Sequence, residues 1–186
     1  MAGCLLFTIA CSNIQERNNN SNTATEMAVV APPGDSVAIT PDQTKKPLPQ
    51  QIVDYAKTLI GIPYKYASTD PSQGFDCSGF ITYVFNHFNI EVPRSSVDFT
   101  NAYPEVALSS AAQGDLILFT GTDSTDGTVG HMGIIVSNVN DSITFIHSTS
   151  GKANGVTITP LNTYYKSRFV KIVRPLPQQY SLKASN

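Results

Sequence analysis

The sequence predicts an α+β fold, with N-terminal helices packed on a five- to six-stranded antiparallel sheet. Two observations carry this. Apolar residues recur at helical spacing as far as Phe88, and short β-branched runs separated by Gly, Asn, Asp and Ser fill the second half. Helices first and strands afterwards place the helices on one face of the sheet.

The first helix is read from Ile52, Ala56, Leu59 and Ile60 within Gln50–Ile60, and it stops at Gly61 before Pro63. A second helix is expected over Cys77–Phe88. Phe80, Ile81, Val84, Phe85 and Phe88 form its apolar stripe, Asp76 is a ready N-cap, and Asn89 can end it. A short third helix is expected after Ser95 or Ser96. The strands are read as Leu116–Thr120, His131–Ser137, Ile143–Thr149, Val156–Thr159 and Phe169–Arg174. Together they give a folded body over 49–177, long enough for one core, and a flexible tail over 178–186.

Composition narrows the function classes. The chain has 186 residues, 41% hydrophobic and 14% charged, which excludes a wholly disordered or all-membrane protein. Twelve basic residues oppose 14 acidic ones, net −2. That balance gives no footprint for nucleic acid or an anionic bilayer. The three cysteines Cys4, Cys11 and Cys77 are too few and too odd for a disulfide framework.

Residues 1–11 are apolar apart from Thr8 and end on Ala10-Cys11. The run is shorter than the roughly 20 residues needed to span a bilayer. It resembles a bacterial lipobox, which implies a lipoprotein-type signal segment with Cys11 lipidated. The absence of Lys or Arg before the run, and Thr8 in place of the usual Leu, depart from that pattern. Residues 12–48 are rich in Asn and then in Pro, with no apolar period, and read as a disordered tether. As a coil it would average roughly 30–35 Å end to end.

Cys77 is the only thiol of the body, and Asp76-Cys77-Ser78-Gly79 sets it in the first turn of the apolar helix. Unpaired N–H groups and the positive end of the helix dipole there favour thiolate. Asp76 opposes them, so a nearby His is needed to take the proton. A small buried core cysteine is the alternative. Two of the three histidines, His131 and His147, fall in strands joined by the short turn Asn138–Ser142. If Ser137 pairs with Ile143, partner numbers sum to 280, and the two rings project from one face as diagonal neighbours. An odd sum puts them on opposite faces. On one face, His131 can accept the Cys77 proton while His147 holds its ring in one tautomer. A zinc site built from the same Cys and two His is the competing chemistry.

These segments resemble the NlpC-type family of papain-like bacterial cell-wall cysteine peptidases over about Gln50–Pro177. The matching pieces are Gly61-Ile62-Pro63-Tyr64-Lys65-Tyr66, Phe75-Asp76-Cys77-Ser78-Gly79-Phe80 and Val92-Pro93-Arg94-Ser95. Gln113-Gly114-Asp115-Leu116, Gly130-His131-Met132-Gly133-Ile134 and Phe145-Ile146-His147-Ser148 follow in the family's order. The resemblance implies a papain-like fold with Cys77 as nucleophile, His131 as base and His147 as the third polar residue. It implies Tyr64 near the oxyanion site, and Asp76 and Ser78 as binders of a free peptide amine. It calls for no metal and no cofactor.

The implied reaction is hydrolysis of an amide bond in peptidoglycan stem peptides or cross-links, of the γ-D-glutamyl-diaminopimelate type. The implied location is the cell envelope, lipid-anchored through Cys11 at the periplasmic face of the outer membrane. A wall-peptide-binding lipoprotein that does not cut, and an acyl transferase on the same fold, are the alternatives. Ala67-Ser68 in place of a frequent Gly pair, the added Ser72-Gln73 and the long polar loop Gly121–Val129 depart from the family pattern. All three bear on bond specificity.

Overall fold

The computed structural model of the chain describes residues 46–123, 125, 127–177 and 180. The signal segment with Cys11, nearly all of the 12–48 tether and all of the tail but Tyr180 lie outside the described residues.

Helix α1 (Leu48–Thr58) starts two residues before the expected Gln50. Pro49 sits in its first turn, where a missing N–H removes no hydrogen bond, so proline does not delay the helix. Its inner face buries Ile52, Val53 and Ala56. Between the helices runs a small hairpin of β1 (Thr69–Asp70) and β2 (Gly74–Phe75) that the apolar pattern did not foretell. Asp70 closes its turn by accepting from the Ser72 amide and hydroxyl and from Gln73. Ala67 adopts φ +58°, a left-handed conformation that favours glycine.

Helix α2 (Cys77–Asn86) begins where the cap residue predicts. The Asp76 carboxylate accepts the Gly79 amide at 2.6 Å. It ends two residues before Phe88, and the chain turns out at Asn89, which has φ +56°. The expected third helix is a 3-10 turn, Ser96–Asn101, pinned by buried Phe99.

The main sheet is six-stranded and antiparallel. Its strands are β3 (Glu105–Val106), β4 (Leu116–Thr120), β5 (Val129–Val139), β6 (Ser142–Thr149), β7 (Gly155–Pro160) and β8 (Phe169–Val173), in the order β3-β8-β4-β5-β6-β7. One face, with Leu116, Leu118, Met132, Ile134 and Ile146, packs on α1 and α2. The other face carries Ile117, Phe119, Ile135, Phe145 and Ile172. It is covered by Leu161 and by Tyr165 of a one-turn helix α3 (Thr163–Lys166). Burial on both faces explains why β4 reads as an unbroken apolar run.

The β5–β6 hairpin turns through Asn140 and Asp141, with φ +51° and +61°, the left-handed pair of a two-residue type I′ turn. That turn fixes Ser137 opposite Thr144, an odd register, not Ser137 opposite Ile143 as expected. Kept throughout, it would have put the two histidines on opposite faces. A bulge at Val136 inserts one residue, and from Ile135↔Phe145 and Ile134↔Ile146 onward the register is even.

Candidate active site

Cys77 opens α2 and is held there by the Asp76 cap. Its Sγ lies 3.9 Å from the carbonyl oxygen of Gly130, the residue before His131. The side chain is 9% exposed, and that sliver opens into a cleft of about 1150 Å³ that His131 also lines. The thiol comes from the helix side of the sheet. The imidazoles pack on the opposite cluster, against Phe119, Phe145 and Tyr165. The two sides meet in the cleft at the start of β5.

On the sheet side of the bulge, His131 and His147 share one face. His131 Nε2 meets His147 Nδ1 at 2.8 Å, and His147 Nε2 meets Thr159 Oγ1 at 2.9 Å. Gly133 makes room for the pair. A Cβ there would stand 2.6 Å from the Phe145 ring and 3.2 Å from His147 Cβ. His131 Nδ1 has no hydrogen-bond partner among the described residues, so it is the ring nitrogen that the histidine pair leaves unused.

Which tautomer His131 holds depends on Thr159. If the Thr159 hydroxyl accepts from His147 Nε2–H, His147 Nδ1 accepts from His131 Nε2–H, and Nδ1 of His131 keeps its lone pair. With every bond reversed, that Nδ1 carries hydrogen and cannot act as a base. Thr159 thus extends the hydrogen-bonded histidine pair, and sequence reasoning missed it. The signal was in the pairing: His147 faces Thr157 on β7, and Thr159 is two residues on, on the same face. Thr159→Val is expected to lower kcat about 3- to 10-fold, the worth of one net hydrogen bond, with KM unchanged and recovery in Thr159→Ser. A steady-state comparison of the three proteins checks this, and equal kcat in all of them removes Thr159 from the relay.

The resting charges differ from the expected thiolate. Burial, and then the Asp76 carboxylate, push the Cys77 thiol up to about 11. The amides of Ser78, Cys77 and Met132 pull the other way without prevailing. Burial, then His147 and Arg168, bring His131 down to about 3, and burial brings His147 down to about 4. Thiol and imidazoles are thus all neutral at pH 7.

This has a consequence for stability. Both histidines titrate below their ordinary 6.5, so between pH 6.5 and about 4 the unfolded chain binds more protons. Stability is present above 6.5 and is lost as pH falls through that window, which lies above the ordinary carboxylate value of 3.8. Cys77 adds an alkaline limb, with stability full below 9 and lost towards about 11. The thermal midpoint is expected to be flat from pH 6.5 to 9 and to fall on both sides. A midpoint unchanged down to pH 4 would contradict the neutral histidines.

The cleft continues on the other side of Cys77 between Tyr64, Asp76, Ser78 and Arg94. Arg94 grips Asp76 with two nitrogens, at 3.0 and 2.7 Å, and donates to Ser78 Oγ at 3.0 Å. Arg94 has no role of its own in the sequence reading. Burial, reinforced by the thiol and Asp76, raises the Tyr64 pKa, so its phenol stays a hydrogen-bond donor. The histidine rings bond to each other and to Thr159 instead of converging with Cys77 as metal ligands. Among the described residues no group of three His, Cys, Asp or Glu could hold a metal ion.

Comparison with known proteins gives a consistent picture. Residues 61–174 match the family model described as NlpC/P60 family. The probable peptidoglycan endopeptidase LytE of Bacillus subtilis (strain 168) is 38% identical over 121 residues, 64% of this chain and 32% of LytE. The murein DD-endopeptidase MepS/murein LD-carboxypeptidase of Escherichia coli (strain K12) is 31% identical over 129 residues, 68% of this chain and 62% of MepS. The crystal structure of an NlpC/P60 family protein from Bacillus cereus ATCC 10987 superposes with a TM-score of 0.62 at 30% identity. It covers 72% of this chain and 42% of that one. The chain thus spans about a third of the length of LytE and under two thirds of MepS. With the family match running through Cys77, His131 and His147 over more than half its length, the chain belongs to the NlpC/P60 family.

Proposed function

We propose that the protein is a peptidoglycan endopeptidase that hydrolyses an amide bond in wall stem peptides or cross-links. The γ-D-glutamyl-diaminopimelate bond is the preferred target. The observation that carries the reading is the shared cleft of Cys77 and His131, with His131 Nε2 bound to His147 and only Nδ1 free.

Because the thiol rests neutral, its proton moves to His131 Nδ1 as Sγ attacks the carbonyl carbon. The Cys77 amide and the Tyr64 hydroxyl receive the developing oxyanion. The intermediate collapses, the C–N bond breaks, and the leaving amine takes the proton from His131. Water then attacks the thioester with His131 again as base, releasing the acid and restoring the thiol. His147 and Thr159 hold the His131 ring throughout. Asp76 and Ser78 would receive a free peptide amine, with Arg94 fixing the carboxylate. A lipid on Cys11 would hold the enzyme at the periplasmic face of the outer membrane within reach of the wall.

The test is digestion of purified wall fragments, with products weighed by mass spectrometry. New fragments differing by one hydrolysed amide are expected. Retention of wall peptides without products would instead support a binding lipoprotein, a reading favoured by the raised thiol pKa. Products joined to an added amine would support acyl transfer.

A further inference from the structure

The cleft has two halves that meet at Tyr64, Cys77 and Gly130, and their charges differ. On one side the Asp76–Arg94 pair is internally neutralised. The other side is walled by Lys152 and Arg168, and no Asp or Glu is among its described lining residues. The acidic residue nearest in sequence, Asp123, is turned to the Thr125 amide and hydroxyl.

Arg168 is only 9% exposed and takes part in no ion pair among the described residues. Its Nη2 donates to the carbonyl oxygens of Thr120, at 2.8 Å, and Gly121, at 2.5 Å. Its Nη1 donates to the Tyr164 hydroxyl, and the guanidinium lies 5.0 Å from the Tyr164 ring centroid. Nε is buried with no partner. Carbonyl dipoles and a phenol do not neutralise a buried cation, and such a charge normally has an anionic partner. Arg168 lines the cleft, where a partner from solvent can reach it. Nη1 keeps a second N–H, the Tyr164 hydroxyl keeps its own hydrogen, and exposed Lys152 adds a charge at the rim.

We propose that this half of the cleft is a carboxylate-binding subsite, so that the favoured wall peptides carry a free carboxylate on the Lys152–Arg168 side of the scissile bond. The proposal rests on the hydrolytic reading above and names the substrate feature that this reading leaves open. It also couples recognition to chemistry. The Arg168 charge is one of the causes that hold the basicity of His131 down, so an anion seated on Arg168 makes His131 a better base when a correct substrate is bound.

The test uses γ-D-glutamyl-diaminopimelate peptides with all carboxyls free, with each carboxyl amidated in turn, and with all amidated. Binding to the full chain carrying Cys77→Ala is measured by calorimetry, and hydrolysis by the native protein is measured beside it. Amidation of at least one carboxyl is expected to weaken binding about 10-fold, the effect of losing one charge-assisted hydrogen bond. Adding Lys152→Ala, an exposed change that spares the Arg168 contacts with β4, should shrink that difference. Equal binding of the free and fully amidated peptides overturns the subsite even if both are cut. Selective binding without any cleavage supports the subsite and overturns the hydrolytic reading instead.

Discussion

Cys77→Ala is expected to lower kcat for wall-peptide hydrolysis at least about 10⁴-fold while the protein stays folded. Among the described residues no other thiol lines the cleft, and the proposed attack requires sulfur to form the thioester. Any residual rate would come from the oxyanion donors and the bound geometry alone. The structural effect is small by comparison. The hydrogen bond that the thiol donates to the Gly130 carbonyl is long, at 3.9 Å, and the change removes a single atom, worth about 1 kcal/mol. Product quantification beside a thermal melt separates the two effects. Turnover within tenfold of the native protein, with an unchanged melt, would mean that another group is the nucleophile.

The second large effect belongs to His131. His131→Ala is expected to cut kcat at least about 10²-fold, because the next imidazole, His147, does not line the cleft beside Cys77. The same change leaves His147 Nδ1 without its partner at 2.8 Å, which costs about 1–3 kcal/mol of stability. The pH dependence gives a sharper signature than the loss itself. With the thiol near 11, the thiolate fraction rises about tenfold per pH unit below that value. The variant's residual rate should climb with the same slope from pH 7 to about 10, hydroxide doing what imidazole did. A flat profile in the variant would show that deprotonation of sulfur is not what His131 supplies.

Much of this was legible in the sequence. The stripe Phe80, Ile81, Val84 and Phe85 with Asp76 in front encodes α2 by itself, since helical period and cap agree. The β-branched runs mark the long strands for the same local reason. Strand β3 and helix α3 escaped because two and four residues are too few to carry a period. The histidine pair was legible as a parity question, with the even answer reached by a route the sequence hides. A bulge has no residue signature, and Val136 looks like any other strand valine. Arg168 is a single residue between strands and gives no pattern. Its interest arises only when the fold buries it without an anion. The state of the thiol escaped for another reason. Helix position and the opposing Asp76 can be read from sequence, but burial is three-dimensional, and here it is the largest cause that raises the thiol.

The extra residue at Val136 splits the β5–β6 ribbon into two independent frames of counting. Everything outward of it, to the exposed tip at Asn140-Asp141, is indexed from the turn; everything inward is indexed from the sheet. The tip is therefore a splice port, where foreign sequence can be grafted without re-aiming either imidazole. Losing one residue on the inward side has no such tolerance, because it rolls His131 over to the far side of the sheet, away from the cleft it shares with Cys77.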